Sequence, residues 1–470
     1  MQYSVVNLTA VKKHPDFRVD AEYYEPKYQK LEKFLLGKTT SDLNDYSTFI
    51  KKGIFDISPN NYVENGGVAF LRSGDLKDEF ISSNEIIQIA ENAHEKEKKT
   101  ELVKNDLLMA KVGTIGDVAI NLKFEKLNFS QNVMGIKIKK DYKQISGFLL
   151  AFLNCSYGRN QVNRVLSGQV QQKLTLQDIK KVKIIKFSST FQNVISELVY
   201  RAYSKKEKSN DLYSQAEQLL LSELGLLGWK QKHKLAFVKN FSDTKQSERF
   251  DADYFQPKYE ELIELVKKYK DGFDELGNLI KIKDKNFTPD EKEQYKYIEL
   301  SNISANGEIN GYAENFGNEL PSRARRKVVK GDVVVSSIEG SLGSIALITE
   351  NWTNALCSSG FFVVNSDKIN SETLLVLLKT KIGQMQLKKG CKGTILTAIG
   401  KEELSKIILP KINDGIQKQI KGKITEMYAT KSLSKSLLEI SKQGVEMAIE
   451  KNEEETEKWI NTELAKLDKK

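Results

Sequence analysis

Cysteine, histidine and proline are all scarce in this 470-residue chain, at three, three and seven residues. Cys155, Cys357 and Cys391 lie far apart, and His14, His94 and His233 stand nowhere near them at ligand spacing. Neither a disulfide framework nor a metal centre is therefore expected, and the thiols read as small buried or surface side chains. No two prolines are adjacent. The longest apolar stretch, around Phe148 to Leu153, falls far short of the roughly 20 residues that span a bilayer. The opening Met-Gln-Tyr-Ser-Val-Val-Asn lacks the charged start and apolar run of a signal peptide, so a cytoplasmic location is expected.

The composition that remains, 40% hydrophobic and 29% charged, is that of a soluble globular chain. The length suggests two to four domains. A net charge of +10 favours a polyanionic partner without selecting one.

An internal repeat carries the analysis further. Arg18-Val-Asp20-Ala21-Glu-Tyr23-Tyr24-Glu-Pro26-Lys27-Tyr28 matches Arg249-Phe-Asp251-Ala252-Asp-Tyr254-Phe255-Gln-Pro257-Lys258-Tyr259, with seven identities in eleven positions at an offset of 231 residues. Further matches follow in order. Phe70-Leu-Arg-Ser-Gly-Asp75-Leu76 answers Tyr297-Ile-Glu-Leu-Ser-Asn302-Ile303. Asp106 ahead of Gly113-Thr-Ile-Gly116 answers Asp332 ahead of Gly340-Ser-Leu-Gly343. The segment from Gln192 to Leu224 answers Gln417 to Ile449 at an offset of 225. One architecture is written twice.

Each copy opens on a short docking helix, with Pro26 or Pro257 in the first turn and apolar residues at helical spacing behind it (Tyr28, Leu31, Leu35; Tyr259, Leu262, Val266). About 150 residues of short apolar runs follow, such as 107–109, 118–120, 133–138, 333–335 and 361–364, with helices predicted near 148–154 and 373–379. The expected class is α+β, with two β-rich domains. Each copy closes on a long helix with a heptad seam: Ile195, Val199, Ala202, Lys206, Ser209, Tyr213, Ala216, Leu220, and then Ile420, Ile424, Met427, Lys431, Ser434, Leu438, Ser441, Val445. Both seams place a lysine and then a serine at their middle. These fit either two such helices packed in fixed register or a merely solvated stretch. The first helix would be roughly 50 Å long, stopped by Gly225 and Gly228. The expected segments are a first domain over 1–190, a first long helix over 191–228, a second domain over 229–412, and a second long helix with a charged C-terminal extension over 413–470.

Two similar but non-identical domains set apart by rigid helices form a caliper suited to two marks at fixed spacing, and duplex DNA offers such marks. The domain middles differ more than their frame, as expected of one scaffold reading two half-sites. Their polar segments carry side chains able to contact base edges and phosphates. In the first copy these are Arg72, Lys111, Thr114, Gln131, Asn132, Gln169, Gln171, Gln172 and Lys173. In the second they are Arg323, Arg325, Arg326, Lys327, Ser341, Ser358, Lys392 and Thr394. The cluster Arg323 to Lys327 is the best phosphate-contact signal. Solvated surface loops account equally simply for any one of the others. The Arg-x-Asp-Ala motif reads as structural, the arginine pairing with the aspartate or the motif capping the helix that follows. Both glycine loops lack a Lys-Ser/Thr pair and a strand-to-helix context, and read as tight turns rather than phosphate cradles.

These residues resemble the specificity subunits of Type I restriction-modification systems. The resemblance rests on the doubled Arg-x-Asp-Ala-x-Tyr-Tyr/Phe-x-Pro-Lys-Tyr motif, the glycine frame and the domain-helix-domain-helix order. It implies two target recognition domains, each reading half of a split asymmetric site, with the two long helices antiparallel as spacer. It also implies two modification subunits docked on the helices, restriction subunits further out, and S-adenosylmethionine and ATP held by those partners rather than by this chain. The segment beyond Ile449 departs from the pattern, having no counterpart after Leu224. No catalytic site is found: a DNA adenine methyltransferase would show an Asn/Asp-Pro-Pro-aromatic motif, there is no Walker A sequence, and Asp106 and Asp332 sit where turn or cap roles are expected. A helical scaffold whose β domains bind protein or RNA is the alternative from another class.

Overall fold

The computed structural model describes residues 5–12, 17–81, 86–166, 174–304, 306–393 and 397–468. The chain forms two compact units, Met1–Glu207 with Lys431–Lys470, and Lys208–Thr430. The boundary falls inside both long helices, Ser189–Glu223 and Asp414–Glu450. The four-segment division expected from sequence therefore differs from the compact units. Each half-helix lends its apolar face to a domain core: Ile195, Val199 and Ala202 join Leu437 and Val445 in the first unit, and Leu212, Ala216 and Leu220 join Ile420 and Ile424 in the second.

Among the described residues the first unit carries, beside a two-stranded sheet of Thr40–Asp42 with Lys183–Ile185, two large sheets. One runs Ser47–Lys52, Val133–Ile138, Leu107–Ala110, Val118–Ile120, Phe80–Ile81, Leu76–Lys77. The other runs Tyr62–Val63, Gln88–Ile89, Val68–Leu71, Lys126–Phe129, Leu102–Val103. The second unit repeats the frame with four strands in each sheet: Lys281–Lys283, Phe361–Asn365, Val333–Ser336, Ile345–Leu347, and Ala313–Phe316, Gln294–Ile298, Leu356–Ser358, Ala324–Lys327. Even the parallel pairing recurs, Phe129 against Leu71 in one copy and Cys357 against Ile298 in the other. Short central strands such as Val333–Ser336 are buried throughout, which is why they read as unbroken apolar runs rather than alternating ones.

Pro26 and Pro257 each start an eleven-residue helix, where a missing N–H costs nothing. Asp106 and Asp332, both fully buried, do the same work in the two copies. The Asp106 carboxylate accepts from Val103 N (2.7 Å) and Ile138 N (2.8 Å) and pairs with Lys143. That of Asp332 accepts from Val329 N (3.0 Å) and pairs with Lys283 at 2.7 Å. They close turns ahead of the central strand, as the sequence led us to expect.

The helix seam is packed, and its polar members are inside it. Ile195, Val199, Ala202, Ile420, Ile424 and Met427 are buried, and so are Lys206, Ser209, Lys431 and Ser434. In the first unit Ser434 Oγ donates to Ala202 O at 2.7 Å, and in the second Ser209 Oγ donates to Met427 O at 3.1 Å. The two bonds exchange under the 225-residue repeat. Residue numbers rise along one helix as they fall along the other, so the pairing is antiparallel. Lys206 threads past the Phe80 ring, 5.0 Å from its centroid, and reaches Lys77 O at 3.4 Å, its stem in the core and its ammonium on a carbonyl.

The first helix ends as Gly225 turns left-handed (φ +66°), with Gly225 N donating to Ser222 O and Leu226 N to Leu221 O, the Schellman pattern. The second is followed by the extension noted in the sequence. It stops at Glu450, and Asn452 caps a separate helix, Glu453–Leu467, by accepting from Glu455 N at 2.9 Å. Three acidic residues in its first turn suit the helix dipole. Far from being only charged, this helix buries Ile460 in the first unit beside Gly444, where an added Cβ would meet Ile195 and Ile460 side chains at 3.1 and 3.2 Å.

The seam ranks three substitutions. Ile195→Ala is expected to lower the unfolding free energy by about 2–5 kcal/mol through the cavity it leaves. Ser209→Ala and Ser434→Ala should each lower it by only about 0.5–1.5 kcal/mol. Urea denaturation followed by far-ultraviolet circular dichroism measures all three.

Candidate nucleic-acid interface

In the first unit, four of the sequence-predicted residues converge at the ends of neighbouring strands. Arg72 follows the strand Val68–Leu71, whose Leu71 O accepts from Ser130 N at 2.8 Å, setting Arg72 beside the Ser130-Gln131-Asn132 turn. Lys111 is tied to that turn twice, its N donating to Asn132 O (2.9 Å) and its Nζ to Gln131 O (3.2 Å). Arg72 and Asn132 are exposed, while Lys111 and Gln131 are half-buried. Burial and the neighbouring charge of Lys52 both hold the Lys111 ammonium below the usual lysine range. Lys52 was missed in the sequence reading. It ends the strand that pairs Lys52 with Met134, so only the sheet register brings it here.

The turn depends on a close approach of backbone. Gln131 N donates to Ile54 O and Ile54 N to Phe129 O, and a Cβ on Gly53 would stand 2.1 Å from Phe129 O. Thr114 is exposed in the glycine loop, where Gly113 (φ +82°) and Gly116 (φ +85°) are left-handed, as a tight turn requires. In the second copy the corresponding Gly340 and Gly343 are not left-handed, and Glu339–Ser341 forms a 3-10 turn instead.

The same place in the second unit has the same main-chain bonds and different side chains. Ser337 N donates to Gly360 O at 2.9 Å, as Lys111 N does to Asn132 O. Glu299 N donates to Asn302 Oδ1 at 2.7 Å, as Arg72 N does to Asp75 Oδ2. Arg72, Lys111, Gln131 and Asn132 are thus replaced by Glu299, Ser337, Ser359 and Gly360. The repeat register in the sequence already pointed to Glu299, which sits opposite Arg72 in the aligned copies.

Arg325, Arg326 and Lys327 lie in a strand rather than a loop, and Arg323 in the turn just before it. Residues Ala324–Lys327 form the outer strand of a four-stranded sheet, with a register shift between Ala324 and Arg326. Arg323 and Lys327 are exposed and Arg325 and Arg326 half-buried. Arg325 Nε donates to Ser322 O (2.8 Å), Arg326 donates to Asp284 O, and the Lys327 ammonium lies 5.0 Å from the Phe287 ring centroid. Arg325, Arg326 and Lys327 are thus each oriented by a neutral group, and Arg326 also lies near the Asp284 carboxylate.

Three further residues of the expected set are engaged within the fold. Ser358 is only 5% exposed and hydrogen-bonds with Tyr297 and Gly360 N, so it supports the sheet rather than facing a ligand. The Ser341 hydroxyl is engaged with Ser336 Oγ (3.0 Å) and Ile338 O (3.3 Å). Lys392 is exposed but is paired with Glu403 at 3.3 Å. Gln169, Gln171, Gln172, Lys173 and Thr394 lie outside the described residues.

The Arg-x-Asp motif clamps the approach to those segments. The Arg18 guanidinium makes a bidentate fork with Asp20 (2.9 and 2.5 Å), stacks on Tyr23 at 4.6 Å, and donates to Val165 O (3.1 Å) and Leu166 O (2.9 Å). Arg249 repeats this with Asp251, Tyr254, Lys389 O and Cys391 O. The pairing half of the expected structural role is present. Neither proline-led helix has a side-chain cap, but Asp20 also accepts a main-chain hydrogen bond from Tyr23 in the turn Glu22–Tyr24. The arginine hydrogen bonds hold both aspartates below the usual carboxylate range.

Among the described residues Glu91, His94 and Glu95 stand close enough for a metal ion. Each has another partner. Buried His94 Nδ1 lies 2.6 Å from Asn128 Oδ1 and its Nε2 3.2 Å from Glu101, while Glu91 pairs with Lys126 and Glu95 with Lys98. No helix among the described residues is long and apolar enough to cross a membrane.

Residues 20–199 match the family model described as the Type I restriction modification DNA specificity domain. No curated protein matches the sequence. Among solved structures the chain is similar to the Type-I restriction-modification system S subunit from M. genitalium, at 13% identity and TM-score 0.38, covering 91% of this chain and 95% of that one. It is also similar to the HsdS subunit from Thermoanaerobacter tengcongensis, at 13% identity and TM-score 0.27, covering 88% of this chain and 97% of that one.

Replacing both motif aspartates (Asp20→Asn with Asp251→Asn) should cost about 1 kcal/mol at each site, the exposed carboxylate edge reducing the full charge-assisted value. Because both carboxyls titrate below their unfolded value of about 3.9, the stability difference from wild type should be complete above about pH 5. It should shrink as pH falls below about 4. Thermal melts from pH 3 to 7 measure it.

Proposed function

We propose that the chain is the DNA-sequence-reading subunit of a Type I restriction-modification complex. In this reading each unit recognises one half of a bipartite asymmetric site and the chain directs partner methyltransferase and endonuclease subunits to it. The observation that carries the reading is the exchange of Arg72, Lys111, Gln131 and Asn132 for Glu299, Ser337, Ser359 and Gly360 on one main-chain frame. Two half-sites of different sequence call for different donors and acceptors on one scaffold. A scaffold for a single repeated partner has no such need.

The roles divide accordingly. Arg72, Lys111, Gln131 and Asn132 present forked and amide donors suited to base edges in the first unit. The segment Arg323 to Lys327 supplies phosphate contacts in the second, with Arg325, Arg326 and Lys327 already oriented by neighbouring groups so that little of their rotamer freedom is lost on binding. The long helices provide the docking surface for two modification subunits, with restriction subunits beyond them. S-adenosylmethionine and ATP belong to those partners, and methyl transfer and cleavage are theirs.

Substituting Arg325 and Arg326 by alanine in the assembled complex should weaken duplex binding about tenfold or more and lower the slope of log K against log salt by about 2. Fluorescence anisotropy across a salt series measures both. Equal affinity of the wild-type complex for random and selected duplexes, without a salt slope, would sink the DNA reading and favour the scaffold alternative.

A further inference from the structure

The second unit contains an open cleft of about 1010 Å3 between the Glu339–Ser341 turn, the segment at Trp229, and the helices Ser371–Lys379 and Lys381–Gly390. Five lysines line it, Lys230, Lys258, Lys379, Lys381 and Lys388, against one carboxylate, Glu339. Among the described residues none of the five is in an ion pair. Lys379 and Lys381 are steered by carbonyls instead, donating to Gly343 O and Trp229 O, each at 2.7 Å. An ammonium has three donors, so each keeps capacity for an anion. Burial pushes Lys379 down to about 8, against the attraction of Glu217.

A second observation is independent of charge. Tyr259 lines the cleft, is 1% exposed, and its hydroxyl has no hydrogen-bond partner among the described residues. An unmet buried hydroxyl costs roughly 1–3 kcal/mol unless something satisfies it, and the charged groups around it are Asp253, Glu339 and Arg249.

The first unit has neutralised the same place. Under the 225-residue register Gln384 corresponds to Arg159 and Glu217 to Lys442. Arg159 is paired with Asp117 and Lys442 with Glu79 at 2.8 Å. Lys379 corresponds to Asn154, whose amide is bonded on both sides to the Val118 main chain. The excess of positive charge is therefore particular to the second copy rather than a property of the shared frame.

We propose that this cleft is a phosphate-binding site of the second unit, gripping either a backbone phosphate of duplex DNA or a free phosphoanion. The first source rests on the DNA reading above, and the second does not.

The test uses the full chain with its partner subunits, as wild type, as the double variant Lys230→Ala with Lys388→Ala, and as Tyr259→Phe. Lys230 and Lys388 are exposed, and Tyr259→Phe keeps the ring, so unchanged melting curves are expected for both variants. Pyrophosphate is titrated calorimetrically, and random and selected duplexes by anisotropy over a salt series. Pyrophosphate binding that weakens at least fivefold in both variants, with duplex affinity unchanged, assigns the cleft to a free phosphoanion. A loss of at least fivefold in duplex affinity, equal for random and selected sequences and with the salt slope of the lysine variant reduced by about 2, assigns it to the DNA backbone. Wild-type behaviour of both variants with both probes overturns the site. If the wild-type complex binds no duplex at all, the DNA reading fails while the pyrophosphate titration still decides the cleft.

Discussion

The antiparallel seam of the two long helices, with its buried lysines and serines, is the constraint on which the rest depends. An all-apolar seam tolerates a slip by one heptad, because one leucine fits much like another. A buried serine that must reach a particular carbonyl does not, since a slip leaves hydroxyl and carbonyl unmet at roughly 1–3 kcal/mol. Ser434 on Ala202 and Ser209 on Met427 fix the register once in each unit. Register matters because the same helices contribute Ile195 and Val199 to one core and Leu220 and Ile420 to the other. A shifted helix would empty both.

Around that seam each unit separates what must stay from what is free to change. The pairs Lys111–Asn132 and Ser337–Gly360 keep one main-chain bond at 2.9 Å while their side chains share nothing. Backbone bonds are indifferent to a side chain that points outward, so the frame survives exchange of its polar surface. The Arg18–Asp20 and Arg249–Asp251 forks belong to the frame. Each arginine spends four of its five donors on its own aspartate and on carbonyls at the end of a helix.

The two copies differ in electrostatics as well as in contacts. Where the first copy pairs Arg159 and Lys442 with acids, the second leaves lysines facing open space beside an unmet tyrosine hydroxyl. The edge segment Arg323 to Lys327 adds to the same bias. Charged residues on an outer strand also discourage edge-to-edge pairing with another chain, so these cations protect the sheet whatever else they bind.

The repeat, the strands at 107–110 and 333–336, the proline-led helices, the heptad seam and the glycine stop at Gly225 were all legible in the sequence, because each is set by residues close together along the chain. Periodicity, a fixed φ and a missing N–H act locally. Which polar side chains meet was decided only by tertiary structure. Lys52 joins Lys111 through sheet register, Ser358 is drawn inside by Tyr297, and the last helix folds back to bury Ile460. The lysine cleft gathers Lys230, Tyr259, Lys379 and Lys388 from segments up to about 150 residues apart. The chain determined its own duplicated frame through short-range rules. Its sites arise from contacts across long sequence separation, which no local pattern encodes.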